Sequence, residues 1–282
     1  IAMTTLAPAT RNLTQSDAAG LGQLMDRDPV THCFVSGRVA VAGDITRTGC
    51  DAWGYVVDGE LRSAMVIGAN IVPVETTVAA RAAFASRLRL TGRRSSSMVG
   101  NADEVLDLWR MLEPAWGPAR DVRDNQPLMT MVQNSEIPAD PLVRCVREDE
   151  IDVLLPASIA MFTEEVGISP VGGGMLSAYR ARVQELIRQR RALARIEDGR
   201  VIFKAEIGAS TTQACQVQGV WVDPAHRGRG LSLAGMSAVV EHARREIAPV
   251  VSLYVNDYNT YARKCYERVG FDVVGRFATV LF

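Results

Sequence analysis

The spacing of apolar residues is most regular in the second half of the chain. Apolar side chains recur every three or four residues from Ile151 and again from Leu176, which predicts two amphipathic helices. Two apolar runs flank Asp198-Gly199, a pair that favours tight hairpin turns, so two antiparallel strands are expected there. The remaining pattern predicts a strand over 213–222, a helix over 231–248, a strand over 250–255, a helix over 259–269 and a hairpin over 271–282.

The first half repeats much of this order with weaker periodicity. The pattern there predicts a helix over 17–25, strands over 53–57, 61–67 and 71–74, a helix over 77–90, a strand over 95–99, a helix over 103–112 and a strand over 127–132. This repetition suggests a divergent structural duplication within a mixed α/β fold class. A chain of 282 residues is also long enough to form two separate cores.

A polar segment with two prolines, residues 135–141, separates the two halves. Its composition and its lack of apolar periodicity are typical of an interdomain linker. We therefore expect an N-terminal domain over 3–134 and a C-terminal domain over 142–282.

Charge and composition exclude several classes of function. The chain carries 31 basic and 32 acidic residues, so its formal net charge of −1 does not favour nucleic-acid binding. No apolar run approaches the length of a membrane span, so we expect no membrane association and a cytoplasmic location. The five cysteines form no C-x-x-C pair and the three histidines share no ligand spacing, so neither a disulfide framework nor a metal site is predicted.

The stretch from Val220 to Ser232 leads from a strand through a small-residue loop into a helix. Glycines allow the backbone to approach an anion closely, and the N–H groups of a helix N-terminus favour negative charge, so this stretch predicts a phosphate cradle. No lysine closes the loop as in a P-loop, and Leu233 stands where a dinucleotide fingerprint needs a small residue. In the first half, Glu75-Thr76-Thr77 takes the corresponding place, so that half is not expected to bind a pyrophosphate in this way.

The loop resembles the Arg/Gln-x-x-Gly-x-Gly/Ala motif of the GNAT superfamily of acyl-CoA-dependent N-acetyltransferases, with Arg227, Gly230 and Ser232 at the motif positions. Ser232 departs from the usual glycine or alanine, although it is also small. A second family signature is matched by Asn259, Ala262, Tyr266, Gly270 and Phe271. The order of the two halves resembles tandem GNAT proteins such as mycothiol synthase. We therefore expect two tandem GNAT-like domains, the N-terminal one divergent and without a CoA loop.

The resemblance implies that the strands on either side of the helix from Leu231 splay apart and admit the pantetheine arm of acetyl-CoA, the expected cosubstrate. It also implies cofactor-binding residues on the strand, on the glycine loop and on the helices that follow, namely Val220, Trp221, Val222, Arg227, Gly228, Arg229, Gly230, Leu231, Ser232, Asn259 and Tyr266.

Tyr266 is, by the same resemblance, the candidate catalytic acid that protonates the departing CoA sulfur. Its spacing from Ala262 and Val269 places it on the inward face of a helix. A core tyrosine with a satisfied hydroxyl is the alternative interpretation of this position.

Carboxylates are the candidates for the general base and for the residues that bind the acceptor. The strand before the glycine loop carries none, so Glu206 on the neighbouring strand is the candidate catalytic base. Its alternative is a solvated or lysine-paired surface carboxylate. Glu164 and Glu165, near the first interhelical loop, are candidate substrate residues because acidic groups attract a cationic amine, and a plain solvated loop is the alternative.

The function that these residues favour is transfer of an acetyl group from acetyl-CoA to a primary amine, on a small molecule or a protein, by direct attack through a tetrahedral intermediate. The alternative is a non-catalytic acyl-CoA-binding sensor whose N-terminal half binds a ligand or mediates dimerisation. The sequence therefore leaves open whether the chain forms a homodimer. The residues specify neither the amine acceptor nor the length of the acyl chain.

Overall fold

A computed structural model of the chain describes residues 9–282, so residues 3–8 of the predicted N-terminal domain lie outside the described part. The chain forms two compact units. The N-terminal unit extends to Leu128 and also includes Tyr254–Tyr258 and Val274–Phe282, and the C-terminal unit consists of Met129–Leu253 and Asn259–Val273. The units therefore interleave along the sequence, whereas the expected domains were consecutive. The domain boundary at the predicted linker stays a prediction.

The N-terminal unit contains strands and helices in the order β1 (Ala9–Asn12), α1 (Ala18–Met25), α2 (Cys33–Ala42), β2 (Asp51–Val57), β3 (Glu60–Ile67), β4 (Asn70–Val74), α3 (Val78–Thr91), β5 (Ser97–Asn101), α4 (Ala102–Trp116) and the start of β6 (Asp121–Met131). The elements that follow are β7 (Arg144–Cys145), α5 (Ile151–Val166), α6 (Leu176–Arg188), β8 (Ala192–Glu197), β9 (Arg200–Ser210), β10 (Ala214–Val222), α7 (Leu231–Glu246), β11 (Val250–Tyr254), α8 (Thr260–Val269) and β12 (Asp272–Leu281).

The strands of the N-terminal unit are ordered β1-β2-β3-β4-β5-β12-β6. β4 and β5 are parallel, while β12 runs antiparallel to β5 from Phe277 opposite Asn101 to Leu281 opposite Ser97. Side chains alternate between the two faces of this sheet, and each face has its own core. On one face α3 and α4 pack on Trp53, Met65 and Val280, and on the other α1 packs on alternate residues such as Ala64 and Val66.

The strands of the C-terminal unit are ordered β11-β10-β9-β8-β7, with β10 and β11 parallel and the others antiparallel. Helices α5 and α6 bury Leu154 and Leu186 in the core cluster that includes Ala194 on the sheet. Phe203 of β9 faces α7, where a Cβ on Gly235 would lie 2.8 Å from its ring. The parallel and antiparallel pairs in both units confirm the predicted mixed α/β class.

The segment predicted as a linker is hydrogen-bonded to the C-terminal unit. Oγ of Ser135 donates to the carbonyl of Val269, Oγ of Ser237 donates to the carbonyl of Ile137, and the N–H of Asp140 donates to the carbonyl of Ala234. These bonds fix the segment along α7 and at the end of α8. No helix within the described residues is long and apolar enough to cross a membrane.

The predicted hairpin at the end of the chain is wrong, because residues 272–281 form the single strand β12. Gly275 continues the strand, and a Cβ built on it would lie 3.6 Å from the side chain of Leu128. The sequence pattern also missed α2 and the short edge strand β7. The two faces of helix α2 differ little in hydrophobicity, so it lacks a helical pattern. Strand β7 has two residues, which are too few for an alternating pattern.

The position of β12 in the N-terminal core leads to a stability prediction. Val280 is fully buried and Val274 of the same strand is 56% exposed. Val280→Ala should lower the free energy of unfolding by about 2 kcal/mol, since each buried methylene contributes about 0.8 kcal/mol and a cavity adds to the loss. Val274→Ala is the matched control and should shift it by less than about 0.5 kcal/mol. Urea denaturation of both variants measures the difference, and equal losses would contradict this burial of the C-terminal strand.

Candidate functional site

Strands β10 and β11 diverge where the sequence predicts the cofactor gap. Their parallel register covers only three residue pairs, from Ala214 opposite Val250 to Gln216 opposite Ser252. On its other side β10 stays paired with β9 as far as Val222 opposite Phe203. The backbone from Val220 to Val222 therefore borders an opening in the sheet, and its side chains are half-buried.

An irregularity in β10 coincides with this divergence. The register with β9 shifts between Gln218 and Trp221, and Gly219 lies in the left-handed region at φ 60°. A Cβ on Gly219 would lie 2.9 Å from Cε of Met161 and 3.1 Å from Nζ of Lys204. Both the backbone conformation and the close packing therefore require glycine here.

Buried polar groups surround this bulge. Lys204 is 1% exposed, and its ammonium donates to the carbonyl of Gly219 at 3.0 Å. The carboxylate of Glu206 lies 3.4 Å from Nζ of Lys204 and 3.6 Å from Nη2 of Arg182, and it accepts a hydrogen bond from Nε2 of Gln218 at 2.9 Å. Burial acts to raise the pKa of Glu206, but the nearby Lys204 and Arg182 outweigh it and lower this pKa.

These contacts bear on the predicted roles of Glu206. The side chain is buried, so it is not the surface carboxylate considered as an alternative, although its pairing with a lysine is present. A base that works near neutral pH needs a pKa close to that pH, and the positive neighbours shift this pKa in the opposite direction. The role of Glu206 as general base stays a prediction that its electrostatic environment does not favour.

The loop after β10 is anchored at its first residue. Oδ1 of Asp223 accepts from the N–H of Ala225 at 2.9 Å and Oδ2 accepts from Arg200 at 2.7 Å. The hydrogen bond from Ala225, followed by the charge of Arg200, lowers the pKa of Asp223, so this carboxylate stays ionised. The loop is thereby fixed to the sheet before its two glycines.

Gly228 and Gly230 both adopt left-handed backbone conformations, at φ 77° and 75°. A Cβ built on either residue meets no heavy atom within 4 Å, so open space lies beside the backbone at both positions. Gly230 is the N-cap of α7 and provides no side-chain cap for the N–H groups of the first turn, which includes Leu231 and Ser232. This arrangement exposes the N-terminus of a 16-residue helix to an external anion.

Glu164, a predicted substrate residue, instead contacts the loop. Its carboxylate accepts from Nη2 of Arg227 at 2.8 Å and from Nε1 of Trp221 at 3.1 Å. Arg227 also donates from Nε to the carbonyl of Val222 at 3.0 Å, while Arg229 is exposed. Glu164 thus connects the end of α5 to the two predicted cofactor-binding residues Arg227 and Trp221.

Helix α8 brings the second sequence signature to the same region. Oδ1 of Asn259 caps the helix by accepting from the N–H of Ala262 at 3.2 Å. The hydroxyl of Ser232, in the first turn of α7, lies near the thiol of Cys265 on α8. Burial raises the pKa of the Cys265 thiol.

Tyr266 is buried on α8, with its ring 6.0 Å from that of Phe271 in an edge-to-face arrangement. Its hydroxyl has no hydrogen-bond partner within residues 9–282, which differs from the satisfied hydroxyl of the alternative interpretation. Burial raises the pKa of Tyr266 well above its usual range, and the charges of Cys265 and Glu165 contribute in the same direction. The predicted acid and the predicted substrate residue Glu165 are therefore within electrostatic range of each other.

The sequence interpretation did not identify Lys204 as part of this region. Its signal was weak but present, because Lys204 is one of only two lysines in a chain whose other basic residues are arginines. Alternation along β9 places it on the same face as Glu206. Among the described residues, no group of three or more histidine, cysteine or acidic side chains is arranged to hold a metal ion.

The corresponding place in the N-terminal unit has a shorter loop and different chemistry. The parallel register of β4 and β5 also ends early, after Ile71 opposite Met98. In the loop that follows, the N–H of Thr76 donates at 2.7 Å to the carboxylate of Glu104, and Oγ1 of Thr77 caps the N–H of Ala80 at 3.1 Å. A carboxylate of the protein itself thus accepts from the backbone just before this helix N-terminus.

The divergent parallel strands, the bulge and the glycine loop at a helix N-terminus define the C-terminal unit as a GNAT-type fold. Residues 161–271 match the model of the acetyltransferase (GNAT) family, and residues 50–154 match the model of a domain of unknown function. The predicted GNAT resemblance of the C-terminal half is thereby confirmed.

Solved structures extend the likeness over the whole chain. A GCN5-related N-acetyltransferase from Sphaerobacter thermophilus is 18% identical with a TM-score of 0.59, and the match covers 96% of this chain and 94% of that one. A tandem GNAT protein from the clavulanic acid biosynthesis pathway is 13% identical with a TM-score of 0.56, over 97% and 98% of the two chains. A GNAT-family acetyltransferase from Colwellia psychrerythraea is 11% identical with a TM-score of 0.56, over 97% and 99%. These likenesses confirm the predicted tandem GNAT fold. No curated protein sequence matches the chain.

The open space beside Gly230 leads to a binding prediction. Gly230→Glu should abolish acetyl-CoA binding, because a negative side chain would enter the space where the diphosphate is expected. Acetyl-CoA at about 100 times its Kd should add about 2.7 kcal/mol to the stability of the unmodified protein and nothing to that of the variant.

The matched control for this variant is Gly199→Glu. Gly199 has a similar left-handed conformation at φ 71°, also borders open space and lies in a hairpin turn of the same unit. The control variant bears the same backbone strain and should keep the thermal shift. An unchanged shift in Gly230→Glu would refute the assignment of the loop.

Proposed function

We propose that this protein transfers an acetyl group from acetyl-CoA to a primary amine at a site in the C-terminal unit. The GNAT family match and the fold support acyl transfer in general. The observation that carries the proposal is the hydroxyl of the buried Tyr266, which has no hydrogen-bond partner among the described residues and lies on a helix packed against α7. This hydroxyl is a proton donor next to the proposed acyl-CoA site.

The residues of the loop fit an acyl-CoA. The N–H groups at the start of α7, from Leu231 and Ser232, would hold the diphosphate, and Gly228 and Gly230 leave room for it. The backbone of Val220–Val222 would pair with the pantetheine arm in the opening between β10 and β11. Arg227 would keep its bond to the carbonyl of Val222 and supply positive charge at the loop.

Acyl transfer to an amine requires three groups. The nucleophile must be deprotonated, the tetrahedral oxyanion needs a hydrogen-bond donor, and the leaving thiolate needs a proton. We assign the last role to Tyr266. Its raised pKa keeps the phenol protonated at neutral pH but also makes it a weaker acid than free tyrosine, so the proton would move only as negative charge develops on the sulfur.

The three candidate carboxylates take three different roles in this proposal. Glu206 balances the buried charge of Lys204 and so helps to maintain the bulge at Gly219. Glu165 is exposed at the end of α5 and within electrostatic range of Tyr266, so we place the attraction of a cationic amine on this residue. Glu164 then positions Arg227 and Trp221 and does not contact the acceptor.

A screen for acceptors is the direct test of the proposed function. Amines, polyamines, amino acids and peptides are each incubated with acetyl-CoA and the full chain, and free thiol is measured. Release that depends on one class of amine supports the enzyme. Tight acetyl-CoA binding without acceptor-dependent release would overturn it in favour of a non-catalytic acyl-CoA sensor.

Removal of the phenolic hydroxyl tests the role of Tyr266. Tyr266→Phe should keep acetyl-CoA affinity within a few-fold and lower kcat by about 10² to 10⁴, the usual contribution of general acid-base catalysis. Tyr261→Phe on the same helix is the control, because Tyr261 is 90% exposed and should leave kcat unchanged. Equal turnover in Tyr266→Phe and in the unmodified enzyme would show that the tyrosine is structural.

The raised pKa of Tyr266 also predicts the shape of the pH profile. kcat/KM should rise with pH as the acceptor amine loses its proton, and it should not fall before about pH 10, the ordinary pKa of tyrosine. The acid form is lost only when pH exceeds the raised pKa, so no falling limb belongs to this residue in the neutral range. A falling limb below pH 9 that disappears in Tyr266→Phe would contradict the assignment.

A further inference from the structure

A cavity of about 640 Å³, open to solvent, lies on the N-terminal unit at the loop between β4 and α3. It is lined by Tyr55 of β2, Arg62 of β3, Arg27 after α1, Glu75 of the loop and Glu104 of α4. Its volume lies in the range of small-molecule sites, roughly 300 to 1,000 Å³. The proposed acyl transfer uses none of these residues.

Tyr55 supplies a polar group that the fold itself leaves unpaired. The residue is only 9% exposed, and its ring packs edge-to-face with Phe84 at 6.5 Å. Its hydroxyl has no hydrogen-bond partner among the residues that the structure describes, and it lines the cavity. The hydroxyl is therefore available to bond to a molecule that enters the cavity.

Charged groups of both signs line the same cavity. The guanidinium groups of Arg27 and Arg62 are about half exposed. Arg27 lies 3.5 Å from the carboxylate of Glu75, and Arg62 lies 2.6 Å from that of Glu60 on the same strand. Glu75 is 26% exposed and also lies 3.0 Å from Nε2 of the buried His32. With Glu104 as the second carboxylate, the lining itself carries two positive and two negative groups. A ligand with a single charge would face a like charge as well as an opposite one, whereas a zwitterion can satisfy both.

The backbone at Glu75 is strained. Its φ of 53° lies in the left-handed region, which a residue with a side chain adopts at a cost in free energy. Oγ of Ser63 donates to the carbonyl of Glu75 at 2.7 Å and so helps to hold this conformation. Strained residues concentrate at binding sites, and here the strain places a glutamate in the wall of the cavity.

We propose that this cavity binds a small zwitterion of the α-amino acid class. The ligand's carboxylate lies on the side of Arg62 and the hydroxyl of Tyr55, and its ammonium group lies on the side of Glu75. This is a second ligand site, separate in residues and in chemistry from the proposed acyl-CoA site.

Calorimetric titration of the full chain with each standard amino acid tests the proposal. At least one should bind at up to millimolar concentration. The N-acetyl and the carboxamide derivatives of that amino acid should bind at least roughly tenfold more weakly, because each lacks one charge. Binding of either derivative as tightly as the free amino acid would overturn the zwitterion assignment, as would binding of no amino acid at all.

Variants locate the binding in this cavity. Tyr55→Phe removes one hydroxyl and keeps the ring packing, and Arg62→Ala removes an exposed guanidinium, so both should fold and both should weaken binding by roughly tenfold or more. Arg47→Ala is the control, because Arg47 is an exposed arginine of the same unit that does not line the cavity. Amino-acid binding that is unchanged in both Tyr55→Phe and Arg62→Ala would place the ligand elsewhere and refute the proposal. Acetyl-CoA binding should be the same in all three variants, which separates this test from that of the proposed transferase site.

Discussion

The buried ammonium of Lys204 is the constraint on which the form of the C-terminal site depends. An unpaired charge in the interior is very costly, so it must be matched by an opposite charge and by hydrogen-bond acceptors. Glu206 supplies the charge and the carbonyl of Gly219 supplies an acceptor. That carbonyl is available because β10 is bulged at Gly219, where only glycine fits the backbone and the space. The bulge in turn lies where β10 separates from β11, and the separation produces the opening that the proposed cosubstrate would enter.

Much of this region was predictable because its determinants are local. The strand, the glycine loop and helix α7 follow one another within a short stretch, and the spacing of Leu233, Met236 and Val240 indicates the buried face of the helix. The signature residues of α8 also lie close together in the sequence, between Asn259 and Phe271. The fold class and the family of the C-terminal half could therefore be inferred from residue types and their order.

The features that the sequence did not reveal depend on contacts between distant residues. The pairing of β12 with β5 joins the end of the chain to a strand near residue 100, and no local pattern records it. The carboxylate of Glu164 bonds to Arg227 and Trp221, which are more than 50 positions away in the sequence. These bonds indicate that Glu164 positions the loop, whereas the sequence suggested a residue of the acceptor site. The burial of Glu206 could not be read from alternation either, because both faces of β9 are covered by helices.

The two units show how one backbone plan can support different ligands. In each unit a strand leads through a left-handed residue, two positions before the N-cap, into a helix. That residue is Gly228 in one unit and Glu75 in the other, and the N-caps are Gly230 and Thr77. The glycines leave the helix N-terminus uncapped and the adjoining space empty, so an external anion can bind there.

In the N-terminal unit, side chains of the protein accept hydrogen bonds from N–H groups around the corresponding helix start. Thr77 caps the helix with its own side chain, and the carboxylate of Glu104 accepts from the N–H of Thr76. A diphosphate would have to displace a carboxylate held by two hydrogen bonds from Thr76 and would meet the negative charge of Glu75 beside it. The substitution of side chains for glycine at this turn therefore closes the anion site of the N-terminal unit. It leaves beside the turn a charge-balanced cavity whose chemistry differs from that of a phosphate cradle.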